Sequence, residues 1–482
     1  MSLKIKTLRG LFWTFSEQLS VKLVMFVVQI ILARILAPTD FGLIAMIMVF
    51  MSIGSSLTDS GMTSSLIRTV DADQRDYSTV FFMNVATSAL LYLVVFAAAP
   101  YIAAFYNQGI LINIIRVFSI SFIIRAFVGV QTTILSKQLK FREQMMMQIP
   151  SVIASGIVAL VLASTGYGAW SLVWMYLSQS LIFAVQHWWK SEWYPEFLFD
   201  QTRLRKHFGF GFKLTLAGLL SAVFANIYNL VIGKWFSPLQ LGYYNRADTI
   251  QMFPTKLIIT AFKNVAYPVL STIQHDDDRL KRSYKRMMLQ VVFWVTPLLI
   301  LLVVVAEPLF RLLLTEKWLP AVPYFKILCI ASLLYPLQEY NLQILDVKGR
   351  SDLYLKIEMV KKGLMLITIA LVLPYGITGL LIGQILLSFI FYGITSFYSG
   401  RLIKFSTFEQ IKSVYCMFII AIVCGVCTQL LDTYLAGLSM LDVSRLGISS
   451  FTYFIMYFSL SLIFKISALQ DVVEIKRHFL NK

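Results

Sequence analysis

Charged side chains stand where the surrounding sequence is apolar. Glu17 and Lys22 interrupt the run that begins at Leu8, and Arg116, Arg125, Lys256 and Lys263 fall inside later runs of the same kind. Arg246 and Asp248 open the stretch that contains Lys256, and Glu339 lies in another. A charge at the centre of a membrane helix costs roughly 2.5–3.5 kcal/mol on insertion scales, so each needs a partner or a task. Guanidinium and ammonium groups gathered away from water suit an anionic passenger such as a phosphate or diphosphate. A carboxylate in the same setting suits coupling to H+ or Na+. Buried ion pairs that only fix packing are the alternative.

Helical spacing sorts these residues. Lys256 and Lys263 are seven apart and return to nearly the same face, with Pro254 placed to kink the helix between Arg246 and the two lysines. Arg116 and Arg125 are nine apart and point to opposite sides of a straight helix. Glu17 and Lys22 lie about 140° apart around a helix, so their partners must come from other helices. Lys213, Lys326, Lys361 and Lys362 sit near span ends, where long side chains reach the headgroups. Arg125, Arg246, Lys256, Lys263 and Arg116 are therefore the candidates for an anion site. Glu17, Lys22 and Glu339 are the candidates for an ion-coupling site or a cavity charge pair.

Other chemistry is weakly signalled. Asp276-Asp277-Asp278 imitates a metal-binding acidic motif, but Arg279, Lys281 and Arg282 follow it and no nucleotide-binding pattern is attached. His187, His207, His275 and His478 are scattered in sequence and cluster with nothing. Cys424 and Cys427 have the spacing of a redox or zinc pair without a histidine or second pair nearby, and read as small apolar residues of a helix. No metal and no bound cofactor is expected, and no catalytic constellation emerges. A transporter is expected rather than an enzyme.

The elements that position these groups are membrane helices. A chain of 482 residues that is 58% hydrophobic and 14% charged has too little polar surface for a soluble globule. Apolar runs give fourteen expected spans, each near the roughly 20 residues a bilayer core requires. Most of the lysines and arginines behind the net charge of +17 sit in short clusters between runs, which favours anionic headgroups over nucleic acid as their partner. Lysines and arginines divide twenty-seven to five between alternating connections, which puts both termini in the cytoplasm. The basic start, Met1 to Gly10, reads as the lead into a retained first helix.

The chain also repeats itself. Leu36-Ala37-Pro38-Thr39-Asp40-Phe41-Gly42 is answered by Phe236-Ser237-Pro238-Leu239-Gln240-Leu241-Gly242, Ala99-Pro100-Tyr101 by Glu307-Pro308-Leu309, and Tyr167-Gly168 by Tyr375-Gly376. With six spans between copies, both units enter the membrane in the same direction, and the substrate path of such proteins lies between halves. The expected divisions are a six-helix lobe over 1–189, a cytoplasmic interfacial linker over 190–206, a second six-helix lobe over 207–399, and helices 13 and 14 with a cytoplasmic tail over 400–482. In the connection from Trp188 to Lys206, Trp188, Trp189 and Trp193 fit an interfacial helix, or equally the aromatic belt at a helix end.

Three segments carry a family resemblance: Ala33 to Gly42 (ARILAPTDFG), Gly166 to Val173 (GYGAWSLV) and Leu241 to Ala247 (LGYYNRA). The chain resembles polysaccharide transporters of the multidrug/oligosaccharidyl-lipid/polysaccharide exporter superfamily, close to the Wzx-type flippases of O-antigen, colanic-acid and teichuronic-acid pathways. The resemblance implies an all-α polytopic fold of two lobes in a V, working by alternating access in the bacterial inner membrane. It implies an undecaprenyl-diphosphate-linked oligosaccharide as cargo, bound in a central cationic cavity, with other polysaccharide-assembly membrane proteins as further partners. A cation-coupled drug exporter of the same superfamily would carry an acidic pocket instead. A membrane glycan polymerase or ligase would carry a large outer loop that this sequence lacks. A scaffold for other glycan enzymes would have little use for intramembrane charge.

Overall fold

The computed structural model describes the backbone of residues 3–59 and 61–471, with side chains described outside residues 3–18, 59, 210, 213 and 214. Among the described residues the regular elements are all helical. In chain order they are α1 (Leu3–Ile35), α2 (Pro38–Asp59), α3 (Met62–Arg68), α4 (Gln74–Tyr106), α5 (Leu111–Phe118), α6 (Ile120–Ala126), α7 (Gly129–Lys137), α8 (Phe141–Ser164), α9 (Ala169–Lys190) and α10 (Gln201–Ala225). Then come α11 (Ile227–Trp235), α12 (Pro238–Thr272), α13 (Asp277–Val304), α14 (Ala306–Leu314), α15 (Val322–Ala331), α16 (Tyr335–Val347), α17 (Ser351–Val372), α18 (Gly376–Ile403), α19 (Thr407–Gly437) and α20 (Asp442–Ile463). The chain is a multi-pass membrane protein. Eight of its described segments are long and apolar enough to cross a bilayer, ten when two bent helix pairs each count as one span. One of the eight, Ser351–Ile403, has 53 residues, far more than a bilayer core holds, and α17 and α18 within it pack side by side.

Two compact units divide the chain, residues 1–245 and 246–482. In the first, α2 packs against α4, α9, α10 and α11, and the α8–α9 pair is backed by α1. In the second, α13 is the central helix and packs against α15, α16 and α19. Helix starts follow local chemistry. Asp73 and Ser406 form capping boxes with Asp76 and Glu409, and Asp200 and Asp276 accept from the first backbone N–H groups of α10 and α13.

The repeated corner is where the two copies meet. At Gly42 an added Cβ would lie 1.8 Å from the carbonyl oxygen of Pro238, and at Gly242 one would lie 1.9 Å from that of Pro38. Each proline carbonyl occupies the space a side chain would need on the other copy's glycine. The second anchor is also structural: Gly168 and Gly376 both take positive φ, 52° and 75°, at the starts of α9 and α18. The third has diverged, since Pro100 lies inside continuous α4 whereas Pro308 follows a break at Val305.

Polar contacts correct two expectations. The connection 191–200 contains no helix. Its backbone is instead claimed by α4, with Glu196 N–H donating to Ser78 Oγ, Asp200 N–H to Thr79 Oγ1, and Gln74 Nε2 to the Tyr194 carbonyl. Nor does His207 stand alone. It is fully buried between Ser65 Oγ at 2.9 Å and Asp76 Oδ1 at 3.1 Å, and Arg203 joins the same carboxylate at 2.6 Å. Sequence distance hid this cluster, which ties α10 to α3 and α4. In the second unit Asn341 accepts from Tyr284 at 2.8 Å and from Ser399, and donates to Gln410 at 3.1 Å. Arg445 and Asp432, both buried, pair at 2.8 Å between α20 and α19.

Gly42→Ala or Gly242→Ala should destabilise the protein by about 3 kcal/mol or more, because a backbone carbonyl cannot yield as a side chain can. Gly109→Ala, which meets nothing within 4 Å, should leave thermal unfolding in detergent unchanged. Equal melting temperatures for all three variants would contradict the corner's role. Acid should act at the helix starts. The carboxyls of Asp73, Asp200 and Glu409 are held below their ordinary range chiefly by backbone N–H groups, and that of Asp277 chiefly by Lys348. Native values that are depressed give stability that is complete above the ordinary carboxylate range and lost as pH falls through it. Melting temperature should therefore hold from neutral pH down to about pH 4 and fall below it.

Candidate functional site

Arg125 is an expected cation that the structure places against cavities. Its span is not the straight helix assumed from spacing. It breaks at Ser119 between α5 and α6 and bends by 42° before α7. Irregular backbone of this kind is tolerated in a membrane where it lines a cavity. The exposed Arg125 side chain faces two cavities within the first unit, one of about 380 Å³ and one of about 290 Å³. Ser55, Thr58, Thr63, Asn84, Thr132 and Thr133 line the larger one, so a guanidinium stands among hydroxyl and amide groups. Phe122 closes its wall by resting on Gly54, where an added Cβ would come within 2.2 Å of the ring. Asn84 is 2% exposed and its Oδ1 has no partner among the described residues. Such a wall can hydrogen-bond a sugar or an anion from several sides. These lining residues are neutral, so nothing marks them against an apolar run as a charge does. The local density of Ser and Thr near 55–65 and 132–136 was the available signal.

The second concentration of charge is α12. Arg246 is 2% exposed, and its guanidinium carbon lies 5.7 Å from the centre of the buried Trp318 ring. Asp248 is half-buried and feels the positive field of Lys256, itself exposed. Lys263 Nζ binds Glu339 Oε2 of α16 at 2.7 Å, while Gln343 donates to the Lys263 carbonyl at 3.1 Å. The structure therefore joins two residues expected in different roles. Lys263 and Glu339 neutralise each other across α12 and α16, whereas Lys256 is left more open to solvent.

The remaining candidates are dispersed. Arg116 stacks over the Phe96 ring at 4.2 Å, a contact that stabilises a cation within the first unit. Lys22 is exposed on α1. The side chains of Glu17 and Lys213 lie outside the described residues. No group of three or more metal-ligating side chains occurs among the described residues.

Replacing Lys263 with Met, or Glu339 with Gln, should each lower stability, since either leaves a charge without its counterpart. The double variant should recover part of that loss. Their coupling should be about 1 kcal/mol, because both groups remain partly exposed. A double-mutant cycle on thermal unfolding reads it, and zero coupling would mean that the contact is immaterial.

The fold defined by these helices is that of membrane flippases and multidrug transporters. It superposes on the lipid II flippase MurJ in an inward closed conformation with a TM-score of 0.74 and 15% identity, covering 95% of this chain and 99% of that one. An inward-facing multidrug resistance MATE family transporter matches with a TM-score of 0.61 and 14% identity over 80% of this chain and 96% of the other. The chain belongs to the polysaccharide biosynthesis protein family, which its residues 31–323 match. It is 26% identical to the teichuronic acid biosynthesis protein TuaB of Bacillus subtilis over 73% of each chain. It is 23% identical to the lipopolysaccharide biosynthesis protein WzxC of Escherichia coli, over 75% of this chain and 74% of that protein.

Proposed function

We propose that the protein is a flippase that moves an undecaprenyl-diphosphate-linked oligosaccharide from the cytoplasmic to the outer leaflet of the bacterial inner membrane by alternating access. Its family and its relatives support the cargo class, and its fold supports the mode of transport. The single observation that carries the reading is Arg125, exposed in a hydroxyl- and amide-lined cavity within the first helical unit. In this reading Arg125, Arg116, Arg246, Lys256 and Lys263 are the candidates for meeting the diphosphate, with Arg125 and Lys256 the more exposed of them. Neutral hydroxyls and amides hold the glycan while the prenyl chain stays in lipid. Glu17, or the Lys263–Glu339 pair, couples transport to H+ or Na+. The two copies of the repeat act as lobes of six helices each, α19 and α20 stand outside them, and both termini are cytoplasmic. Exchange of cationic drugs, the alternative task on this fold, is disfavoured by a cavity whose charged lining residue is a guanidinium.

Reconstitution in vesicles containing a defined undecaprenyl-diphosphate oligosaccharide tests the reading. Arg125→Ala and Lys256→Ala should each slow appearance of the glycan in the opposite leaflet by about tenfold or more, the usual cost of a lost charge-assisted contact. Glu17→Gln should remove any response to a pH gradient. Wild-type rates for Arg125→Ala and Lys256→Ala in well-inserted protein would reject the anion site.

A further inference from the structure

A separate cavity of about 330 Å³ lies at the lysine-rich end of the first unit, between the ends of α7, α8 and α9 and the start of the 191–200 connection. Two of its lining side chains are polar, deeply buried and unsatisfied. Gln131 is 3% exposed, and neither its amide nitrogen nor its oxygen has a partner among the described residues. His187 is 2% exposed, and its Nε2 is likewise without one. The other ring nitrogen, Nδ1, lies 2.9 Å from the Phe183 carbonyl oxygen, which can only accept. Nδ1 therefore carries the hydrogen, and in the neutral ring Nε2 is a bare acceptor. Buried groups of this kind are nearly always satisfied, and leaving them unmade is costly. A single water needs only about 10–15 Å³, far less than this space.

We propose that this cavity binds the headgroup of a phospholipid carrying a primary ammonium, a phosphoethanolamine lipid. The floor offers two acceptors, Gln131 Oε1 and His187 Nε2, to a group rich in N–H donors. At the rim, Lys140 and Lys190 suit a phosphate, and Glu143 and Glu192 balance them, so the lining fits a zwitterion better than a net anion. The Trp193 and Tyr77 rings line the same space and favour a cation beside them. The helices that bound the site carry exposed apolar side chains, Met146 and Ile153 on α8 and Val185 and Trp189 on α9, for acyl chains to lie against. The site uses none of the residues assigned to the passenger.

The test is native mass spectrometry of the full chain in detergent with lipids of identical acyl chains. Phosphatidylethanolamine, its mono- and dimethyl derivatives and phosphatidylcholine form a series that loses one N–H at each step. Retention should fall along the series, by about tenfold from end to end. Gln131→Leu should flatten the series. Lys190→Ala, an exposed change that leaves the fold intact, should weaken retention of every member. A flat series with wild-type protein would overturn the proposal, as would tighter retention of phosphatidylglycerol than of phosphatidylethanolamine. A gradient that survives in both variants would place the lipid elsewhere and overturn it as well.

Discussion

Two glycines facing two proline carbonyls set the constraint on which the rest of the arrangement depends. Gly42 and Gly242 let the corners between α1 and α2 and between α11 and α12 cross at backbone contact. Any larger residue would hold these corners apart, and with them four helices. The crossing is reciprocal because the sequence motif is duplicated. What is local turn chemistry in one copy becomes an interface when the copies are paired. Close backbone approach through small residues is also the main means by which helices associate tightly in lipid, where apolar side chains gain little by leaving a solvent as apolar as themselves.

Around that crossing the protein treats charge in two ways. Several ionisable groups expected to serve transport are committed to one another or to rings: Lys263 to Glu339, Arg116 to Phe96, Arg246 to the neighbourhood of Trp318. Arg125 and Lys256 are more exposed. The first unit's cavity is accordingly lined by one guanidinium among neutral hydroxyl and amide groups.

Much of the fold was legible because bilayer thickness imposes a length on apolar runs. The corner at Pro38–Gly42 and its copy were legible for the same kind of reason: glycine and proline have few conformational substitutes. The 191–200 connection was not legible. Trp193 within it, with Trp188 and Trp189 at the end of α9, fits an interfacial helix or an aromatic belt equally well, and only contact with Ser78 and Thr79 of α4 decides against a helix over 191–200. His207 was passed over because its partners, Ser65 and Asp76, are more than 130 residues away. Arg125 could be named from sequence but its surroundings could not. The breaks between α5, α6 and α7 that open its cavity follow from packing rather than from any proline in that stretch.

The Arg445–Asp432 pair has a consequence for how the chain enters the membrane. Each residue alone would add to the cost of inserting its helix, and pairing offsets that cost, with Asp442 a second, more exposed partner of Arg445 at 3.4 Å. α19 and α20 therefore gain most by passing into lipid together, as a preformed hairpin joined through the short turn at residues 438–441. The last two helices of the chain are in this sense a single unit of biogenesis. The ion pair acts before the protein is finished, as the two helices enter the membrane.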